Sequence, residues 1–161
     1  MDAVDRFVAA CAQVPKTLWA EPLAVDQWSP AEVIEHVALS NALITAVFDT
    51  IEVKPLTETR TRSLVDDEIA FLFYGGGDEP PGVAEPTGQW VDPADASERL
   101  QRSARMLCER SSQVPIDLRC VGARHPVFGT MDGVQWLLFA FAHTERHRAD
   151  IRRLLKRLAT V

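Results

Sequence analysis

Cysteine is scarce in this 161-residue chain, and the few cysteines present are far apart. They lie at three positions, and no two of them form a CxxC pair. An odd number of widely spaced cysteines argues against a disulfide framework and against a zinc site built from thiolates. We therefore expect Cys11, Cys108 and Cys120 each to be a small buried hydrophobic residue.

The sequence also lacks an excess of positive charge and a long apolar run. Its 17 basic and 23 acidic residues give a formal charge of −6, which argues against a nucleic-acid-binding surface. No apolar run approaches the roughly 18 to 20 residues that span a bilayer, and the N-terminus lacks the pattern of a signal peptide. We therefore expect a cytoplasmic protein that binds neither nucleic acid nor a membrane.

What the chain does have is a series of amphipathic segments with strong helix starts. Ser29-Pro30-Ala31-Glu32 combines a serine N-cap, a proline at the first helical position and an early acid, and Asp92-Pro93 repeats the first two features. The apolar spacings predict helices over Asp2 to Val14, Pro30 to about Ile51, Pro93 to near Val114, and from an N-cap at Thr130 to Leu158. This pattern predicts one all-α domain over residues 1–161, a four-helix bundle of the up-and-down type.

The connection between the second and third predicted helices is long and irregular. Leu64 to Tyr74 is compatible with a short helix or a helical turn, whereas Gly75-Gly76-Gly77 and the prolines after it predict a loop. The triple glycine is not a phosphate loop, because the lysine of GxxxxGK[ST] is missing. Such long connections are often functional lids or rims. A later connector, Ile116 to Phe128, is compatible with a few extended residues.

Two histidines stand four residues apart on the predicted last helix. His143 and His147 lie about 40° apart around the helix axis, on the apolar stripe that faces the bundle interior. This spacing lets two imidazoles bind one metal ion. The peptidase motif HExxH is excluded because Thr144 follows the first histidine, and Glu145 should point away from the metal.

His36 is the best candidate for a third ligand, because it lies on the apolar face of the second helix, well inside the capped start. Metal ligation uses neutral imidazole and explains three interior histidines together. Three nitrogen ligands with open positions are typical of a catalytic metal site. The alternative, which spacing alone leaves equally open, is a set of core or surface histidines whose hydrogen bonds are satisfied.

Three further residues have weaker claims on the site. His125, the remaining histidine, is expected either to line the mouth of the pocket or to lie in an exposed loop. Glu35 and Asp150, beside or near the candidate ligands, are expected to be solvated on the helix flanks. Either carboxylate could instead accept a hydrogen bond from a ligating imidazole.

Two segments of the chain carry longer patterns. WSPAEVIEHVALS, from Trp28 to Ser40, follows W-S-x-x-E-V-x-x-H, and HPVFGTMDGVQWLLFAFAHTERHRADI, from His125 to Ile151, contains H-x-x-R-H. Both resemble the signature segments of the DinB/YfiT-like metalloprotein superfamily. The resemblance implies a four-helix bundle, often a homodimer, that binds one divalent metal ion through His36, His143 and His147. Nickel or zinc is the metal it implies first, with iron or manganese as further options.

The resemblance also implies a metalloenzyme that acts on a small-molecule substrate. Similar proteins include thiol-dependent transferases and isomerases, such as bacillithiol transferases and mycothiol-dependent maleylpyruvate isomerase, and metal-dependent hydrolases. A bound divalent ion lowers the pKa of a coordinated thiol or water, so either chemistry suits the site. No cysteine lies near the histidines in sequence, so the thiol would be a low-molecular-weight cofactor. The alternative is a non-catalytic bundle that is stabilised by its metal and acts as a binding or interaction module.

Overall fold

The computed structural model describes residues 2–24, 27–51, 66–69, 84–126 and 128–160. Within these residues the long helices are α1 (Asp2–Cys11), α2 (Pro30–Thr50), α3 (Pro93–Ser112) and α4 (Gly133–Leu158). α2 packs against α3 and α4, and α1 packs against α4. The predicted four-helix bundle is confirmed. The loop predicted at the triple glycine lies outside the described residues.

The beginnings of α2 and α3 are set by the caps that the sequence predicts. The Ser29 side chain accepts a hydrogen bond from the Glu32 backbone N–H, and the Glu32 side chain accepts one from the Ser29 N–H. Asp92 caps α3 by accepting from two N–H groups of the first turn. Replacing such a cap by alanine typically costs about 1 kcal/mol, so the Ser29 cap stabilises the helix on which His36 lies.

A short β-hairpin, which the sequence predicts only as a few extended residues, precedes α4. β1 (Gly122–His125) pairs antiparallel with β2 (Gly129–Asp132), and Thr130, predicted to cap α4, lies within β2. The N-cap of α4 is instead Asp132, which forms a reciprocal capping box with Gln135. The hairpin is an addition to the predicted helical bundle that the sequence does not reveal, because strands of this length are too short to show a clear alternation of polar and apolar residues.

A glycine at the start of α4 allows the chain before the hairpin to pack closely. A Cβ atom on Gly133 would lie 3.0 Å from the Leu118 carbonyl oxygen, which is tighter than almost all real contacts. The Gly133 N–H also donates a hydrogen bond to the Val121 carbonyl oxygen at 3.1 Å. These contacts fix the hairpin against the first turn of α4.

The middle connection contains Leu64 to Tyr74, predicted to form a short helix or a helical turn, and this segment is described only in part. Residues 66–69 are helical, and the rest of the predicted segment lies outside the described residues. The Arg119 guanidinium joins Asp66 at 2.6 Å and the fully buried Asp132 at 3.1 Å. Arg119 therefore ties the middle connection to the start of α4.

The core has two parts, which meet at the level of the candidate histidines on α4. The first part includes Phe7, Ile34, Leu100 and Ile151, and the second includes Ile44, Leu107, Met131, Trp136 and Ala140. His143 and His147 lie between Ala140 of the second part and Ile151 of the first. Burying a polar group costs free energy unless it forms a hydrogen bond or binds a metal, so the imidazoles at this position need such partners.

α2 is the central apolar helix of the bundle. The expectation that no segment approaches membrane-spanning length is wrong for α2, because by length and composition alone it could cross a membrane. However, 67% of the apolar window that meets this test is buried inside the protein. Its apolar side chains pack against the neighbouring helices, as those of a core helix do.

The three cysteines do not share one environment. Cys11 is buried, and burial raises the pKa of its thiol to about 12. Cys108 and Cys120 are exposed, so the prediction of a buried hydrophobic residue is wrong for both. Their helical and turn positions happen to face solvent, which composition cannot reveal.

Candidate metal centre

Three buried histidines from two helices meet in the interior of the bundle. His36 comes from α2, and His143 and His147 come from successive turns of α4. Nε2 of His143 lies 3.0 Å from Nε2 of His36 and 3.2 Å from Nε2 of His147. All three residues are at most 4% exposed. The structure therefore brings together the three residues that the sequence singles out.

The separations of these nitrogen atoms suit a single divalent ion. A metal bound to imidazoles at about 2.0–2.1 Å holds two nitrogens about 2.9 Å apart at a right angle and about 3.3 Å apart at a tetrahedral angle. The observed 3.0 and 3.2 Å lie between these values. Among the described residues, no other histidine, cysteine, aspartate or glutamate belongs to this ligand group. The three imidazoles form a donor set of the size that one ion requires.

The hydrogen-bond partners of the outer ring nitrogens, Nδ1 of His36 and of His147, determine where the Nε2 lone pairs point. His36 Nδ1 lies 2.8 Å from the Ala84 carbonyl oxygen, and His147 Nδ1 lies 3.1 Å from Asp150 Oδ2. Because both partners accept hydrogen bonds, they select the tautomer with the proton on Nδ1, and in that tautomer the Nε2 lone pair points to the centre. Nε2 of His143 cannot donate to both. A shared cation would satisfy all three nitrogens at once.

Aromatic side chains limit the rotation of two of the imidazoles. The Trp28 ring lies 4.5 Å from the His36 ring, centroid to centroid. The Phe139 ring lies 5.9 Å from the His143 ring with only 4° between the planes. Packing of this kind holds a ligand in one rotamer and lowers the conformational entropy lost when an ion binds.

Glu35 is buried beside the site, so the prediction that it is solvated is wrong. Its carboxylate accepts a hydrogen bond from the Thr87 hydroxyl at 2.6 Å and another from the Gly88 N–H at 3.0 Å. Within the part of the chain that the structure describes, no cationic side chain pairs with it. The segment that supplies its partners, residues 84–92, precedes α3, and we call it the strap.

The other two acidic residues near the ligands have different roles. Asp150 is partly buried and contacts His147, so it acts as the hydrogen-bond acceptor that the sequence left as the weaker option. Glu145 points away from the histidines, as predicted. It is buried and pairs with Arg6 at 2.9 Å and with Arg148 at 2.6 Å, which joins α1 to α4.

His125 lies apart from the site and matches neither predicted position. It is 8% exposed and stacks on Phe128, with ring centroids 4.5 Å apart, next to Trp136 and Phe139. Its Nδ1 accepts a hydrogen bond from the Phe128 N–H at 3.2 Å. Burial lowers the pKa of His125 to about 4, so the ring is neutral at pH 7.

The strap is the part of the site that sequence reasoning missed. Ala84 contributes a backbone carbonyl, and Thr87 and Gly88 contribute donors to Glu35. A backbone carbonyl has no residue-specific signature, and an irregular segment has no periodicity from which its path could be predicted. The prolines and glycines here indicate only a loop.

Two solved structures have a similar fold. YfiT from Bacillus subtilis, described as a probable metal-dependent hydrolase with an unusual four-helix bundle topology, matches with a TM-score of 0.63 and 17% identity. That match covers 98% of this chain and 82% of YfiT. TT2238, described as a four-helix bundle protein, matches with a TM-score of 0.59 and 18% identity over 94% of this chain and 91% of TT2238. At these identities the likeness establishes the fold alone.

The family assignment comes from the sequence. No curated protein matches the chain. The family model described as the DinB superfamily matches residues 2–151, which include the three clustered histidines and both segments with signature-like patterns. Because the match covers most of the chain, the chain belongs to the DinB superfamily.

Proposed function

We propose that the chain is a metal-dependent enzyme in which His36, His143 and His147 bind one divalent ion. At that ion, water or a low-molecular-weight thiol would become the nucleophile for a small-molecule substrate. The observation that carries the proposal is the convergence of three Nε2 atoms, with Nε2 of His143 3.0 and 3.2 Å from the other two. An acceptor on the outer nitrogen, as for His36 and His147, is typical of histidines that ligate metals.

The number of ligands favours a catalytic site over a structural one. Structural zinc sites have four protein ligands, whereas catalytic sites keep a position for water or substrate. Among the described residues, the ligand group contains three histidines and no fourth side chain. His125, the remaining histidine of the sequence, packs in a separate aromatic cluster. This count favours the enzyme over the alternative, a non-catalytic bundle stabilised by its metal.

A bound divalent ion supplies Lewis acidity, which lowers the pKa of a coordinated water or thiol and provides a nucleophile at neutral pH. The residues of the chain hold and orient the ligands. The Ala84 carbonyl and the Asp150 carboxylate each accept a hydrogen bond from an outer nitrogen, which fixes the tautomers of His36 and His147. The Trp28 ring restricts His36 to the rotamer that points at the centre.

Nickel or zinc is the ion that we expect. Imidazole nitrogens suit zinc, nickel, copper and iron, whereas magnesium, calcium and manganese prefer oxygen ligands. The description of YfiT as a probable metal-dependent hydrolase supports water as the nucleophile. A thiol would have to be a separate compound, because the ligand group contains no cysteine within the described residues. The homodimer and the cytoplasmic location stay predictions.

Metal analysis tests the proposal. Purified wild type exposed to nickel or zinc should retain about one ion per chain, and His143→Ala should retain almost none, because His143 lies closest to both other ligands. His125→Gln is the matched control, since it removes a buried histidine outside the cluster and should retain the ion. Equal and negligible metal in wild type and in His143→Ala would contradict the proposal.

A second measurement separates the two nucleophiles and the non-catalytic alternative. Cobalt-loaded wild type should change its visible absorption when a low-molecular-weight thiol binds the ion, if the enzyme is of the S-transferase type. An unchanged spectrum, together with hydrolysis of a model ester that requires the ion, indicates the hydrolase type. If neither ligand exchange nor turnover is seen while the ion still stabilises the fold, the non-catalytic alternative is correct.

A further inference from the structure

The strap is tied to two consecutive residues of α2. His36 donates from Nδ1 to the Ala84 carbonyl oxygen at 2.8 Å. Glu35 accepts from the Thr87 hydroxyl at 2.6 Å and from the Gly88 N–H at 3.0 Å. One metal-site histidine and its neighbour therefore hold the same short segment, one as a donor and the other as an acceptor.

The hydrogen bonds between Glu35 and the strap are made by a buried carboxylate. The residue is 2% exposed, and each carboxylate oxygen accepts one hydrogen bond from the strap. A buried carboxylate is costly unless close donors or an opposite charge offset the loss of water. Among the described residues those donors come from the strap and not from a lysine or arginine. Displacing the strap would therefore break both hydrogen bonds to the Glu35 carboxylate.

The backbone of the strap needs this support at the residue that faces His36. Ala84 has φ of +54°, in the left-handed region that residues other than glycine rarely adopt. Such conformations persist when the surrounding contacts over-determine them, and they are common at functional sites. Gly88, with φ of +71°, adopts the same region without steric penalty while its N–H donates to Glu35.

The geometry points to Glu35 as a positioning residue for the metal centre and to the strap as part of that centre. Glu35 holds Thr87 and Gly88, the strap holds the Ala84 carbonyl against His36 Nδ1, and His36 in turn presents Nε2 to the ion. This inference rests on the proposed function, because it assigns a role toward the bound ion. It adds that ion affinity depends on a segment that supplies no ligand.

The dependence must run in both directions. If a correctly placed strap strengthens ion binding, ion binding strengthens the placement of the strap by the same factor, because binding free energies are linked. The ion should therefore slow hydrogen exchange in the strap, which begins 48 residues after His36 in the sequence.

Zinc titration of metal-free protein tests the role of Glu35. Glu35→Gln should bind Zn²⁺ about 10-fold more weakly than wild type, since it should displace the Ala84 carbonyl, the outer partner of His36, and loss of such a partner typically lowers affinity about 10- to 100-fold. Glu145→Gln is the matched control. It also removes a buried carboxylate close to the ligands, but Glu145 pairs with Arg6 and Arg148 and not with the strap. It should bind zinc as tightly as wild type.

Thr87→Val distinguishes the effect of the hydrogen bonds to the strap from the effect of the Glu35 charge on zinc affinity. This variant keeps the carboxylate and removes one of its two donors, so zinc affinity should fall about 3- to 5-fold, the value of one lost hydrogen bond. If Glu35→Gln weakens binding and Thr87→Val does not, charge alone is responsible and the inference is overturned. Thr87→Val also serves as the test if Glu35→Gln does not fold, as judged by its thermal melt.

Hydrogen exchange measured by mass spectrometry detects an effect of zinc on the strap that would be the same in both proteins if the role of Glu35 were purely structural. In wild type, Zn²⁺ should slow exchange in the peptide that contains Gly88, and in Glu35→Gln this effect should be much smaller. If wild type binds no zinc, the proposed function fails. If wild type binds zinc while Glu35→Gln binds as tightly, or while strap exchange is unaffected, the inference fails and the proposed function stands.

Discussion

The chain buries histidine side chains in two regions, and the regions differ in what faces the ring nitrogens. At the candidate metal centre, His36 and His147 have hydrogen-bond acceptors against Nδ1, at 2.8 and 3.1 Å. In the aromatic cluster, His125 has a donor in that place, the Phe128 N–H at 3.2 Å. The first arrangement leaves a lone pair on Nε2, whereas the second uses the lone pair on Nδ1 within the hairpin.

The comparison teaches that burial alone does not identify a metal ligand. All four histidines of the chain are buried, so exposure cannot separate them. The group that faces Nδ1 separates His36 and His147 from His125, because it decides whether Nε2 carries a lone pair or a proton. His125 instead contributes ring area to a cluster with Phe128, Trp136 and Phe139.

The largest difference between the two regions should appear when an ion is added. With Zn²⁺ at about 1,000 times its dissociation constant, metal-free wild type should gain about 4 kcal/mol, which raises Tm by about 8 to 16 °C. His147→Ala should lose nearly all of this increase, and His125→Gln should keep it. Differential scanning calorimetry with and without zinc measures both. A full Tm increase in His147→Ala would remove the distinction between the regions.

Lowering the pH should affect the aromatic cluster through His125. Burial holds the pKa of His125 at about 4 in the folded chain, below the ordinary 6.5. The unfolded chain therefore binds more protons between these values, so stability falls as pH drops from about 6.5 toward 4. Between pH 7 and pH 5, metal-free wild type should lose about 2 kcal/mol more than His125→Gln.

Urea unfolding at several pH values measures this difference. Both proteins are studied without metal, so that ion binding does not change with pH and only the contribution of His125 differs. Parallel losses of stability in the two proteins would show that His125 is accessible to protons in the folded state.

Asp150→Asn tests the role of the hydrogen-bond acceptor at the candidate metal centre. The change removes the charge of the acceptor that faces His147 Nδ1 and should weaken Zn²⁺ binding about 10-fold. Asp95→Asn is a matched control, because Asp95 pairs with Arg99 on the exposed surface of α3. Competition with a chromophoric chelator gives both affinities. Equal affinities would mean that the carboxylate does not orient the ring.

Phe139→Leu should produce the smallest effect, although the ring contacts both regions. It stacks on His143 with centroids 5.9 Å apart and lies 5.1 Å from His125. Loss of one aromatic contact should lower zinc affinity about 2- to 5-fold. A decrease as large as that of Asp150→Asn, measured in the same competition assay, would show that packing orients the ligands as much as hydrogen bonding does.

The helices and the clustering of the three histidines could be predicted because both follow local rules. Ser29 and Glu32 form the capping box that their spacing implies. His143 and His147 share a helix face because 3.6 residues complete a turn, and His36 shares the apolar face of α2. The helix periodicity alone therefore predicts that all three side chains face the interior of the bundle.

The remaining features could not be predicted because they depend on tertiary contacts of irregular segments. The partner of His36 is the backbone carbonyl of Ala84, which any residue could supply. Glu35 is expected to be solvated from its helix position, but it is buried and accepts two hydrogen bonds from the strap. The strands of the hairpin before α4 are too short for their alternation of polar and apolar residues to be recognised. Because Thr130 lies in β2, the N-cap of α4 is Asp132 and not the predicted Thr130.

The measurement that tests the central claim most directly is anomalous diffraction from crystals grown with nickel or zinc. We expect one anomalous peak between the Nε2 atoms of His36, His143 and His147, about 2.0–2.1 Å from each. An ordered site with no peak there, or a peak at His125 instead, would contradict the account.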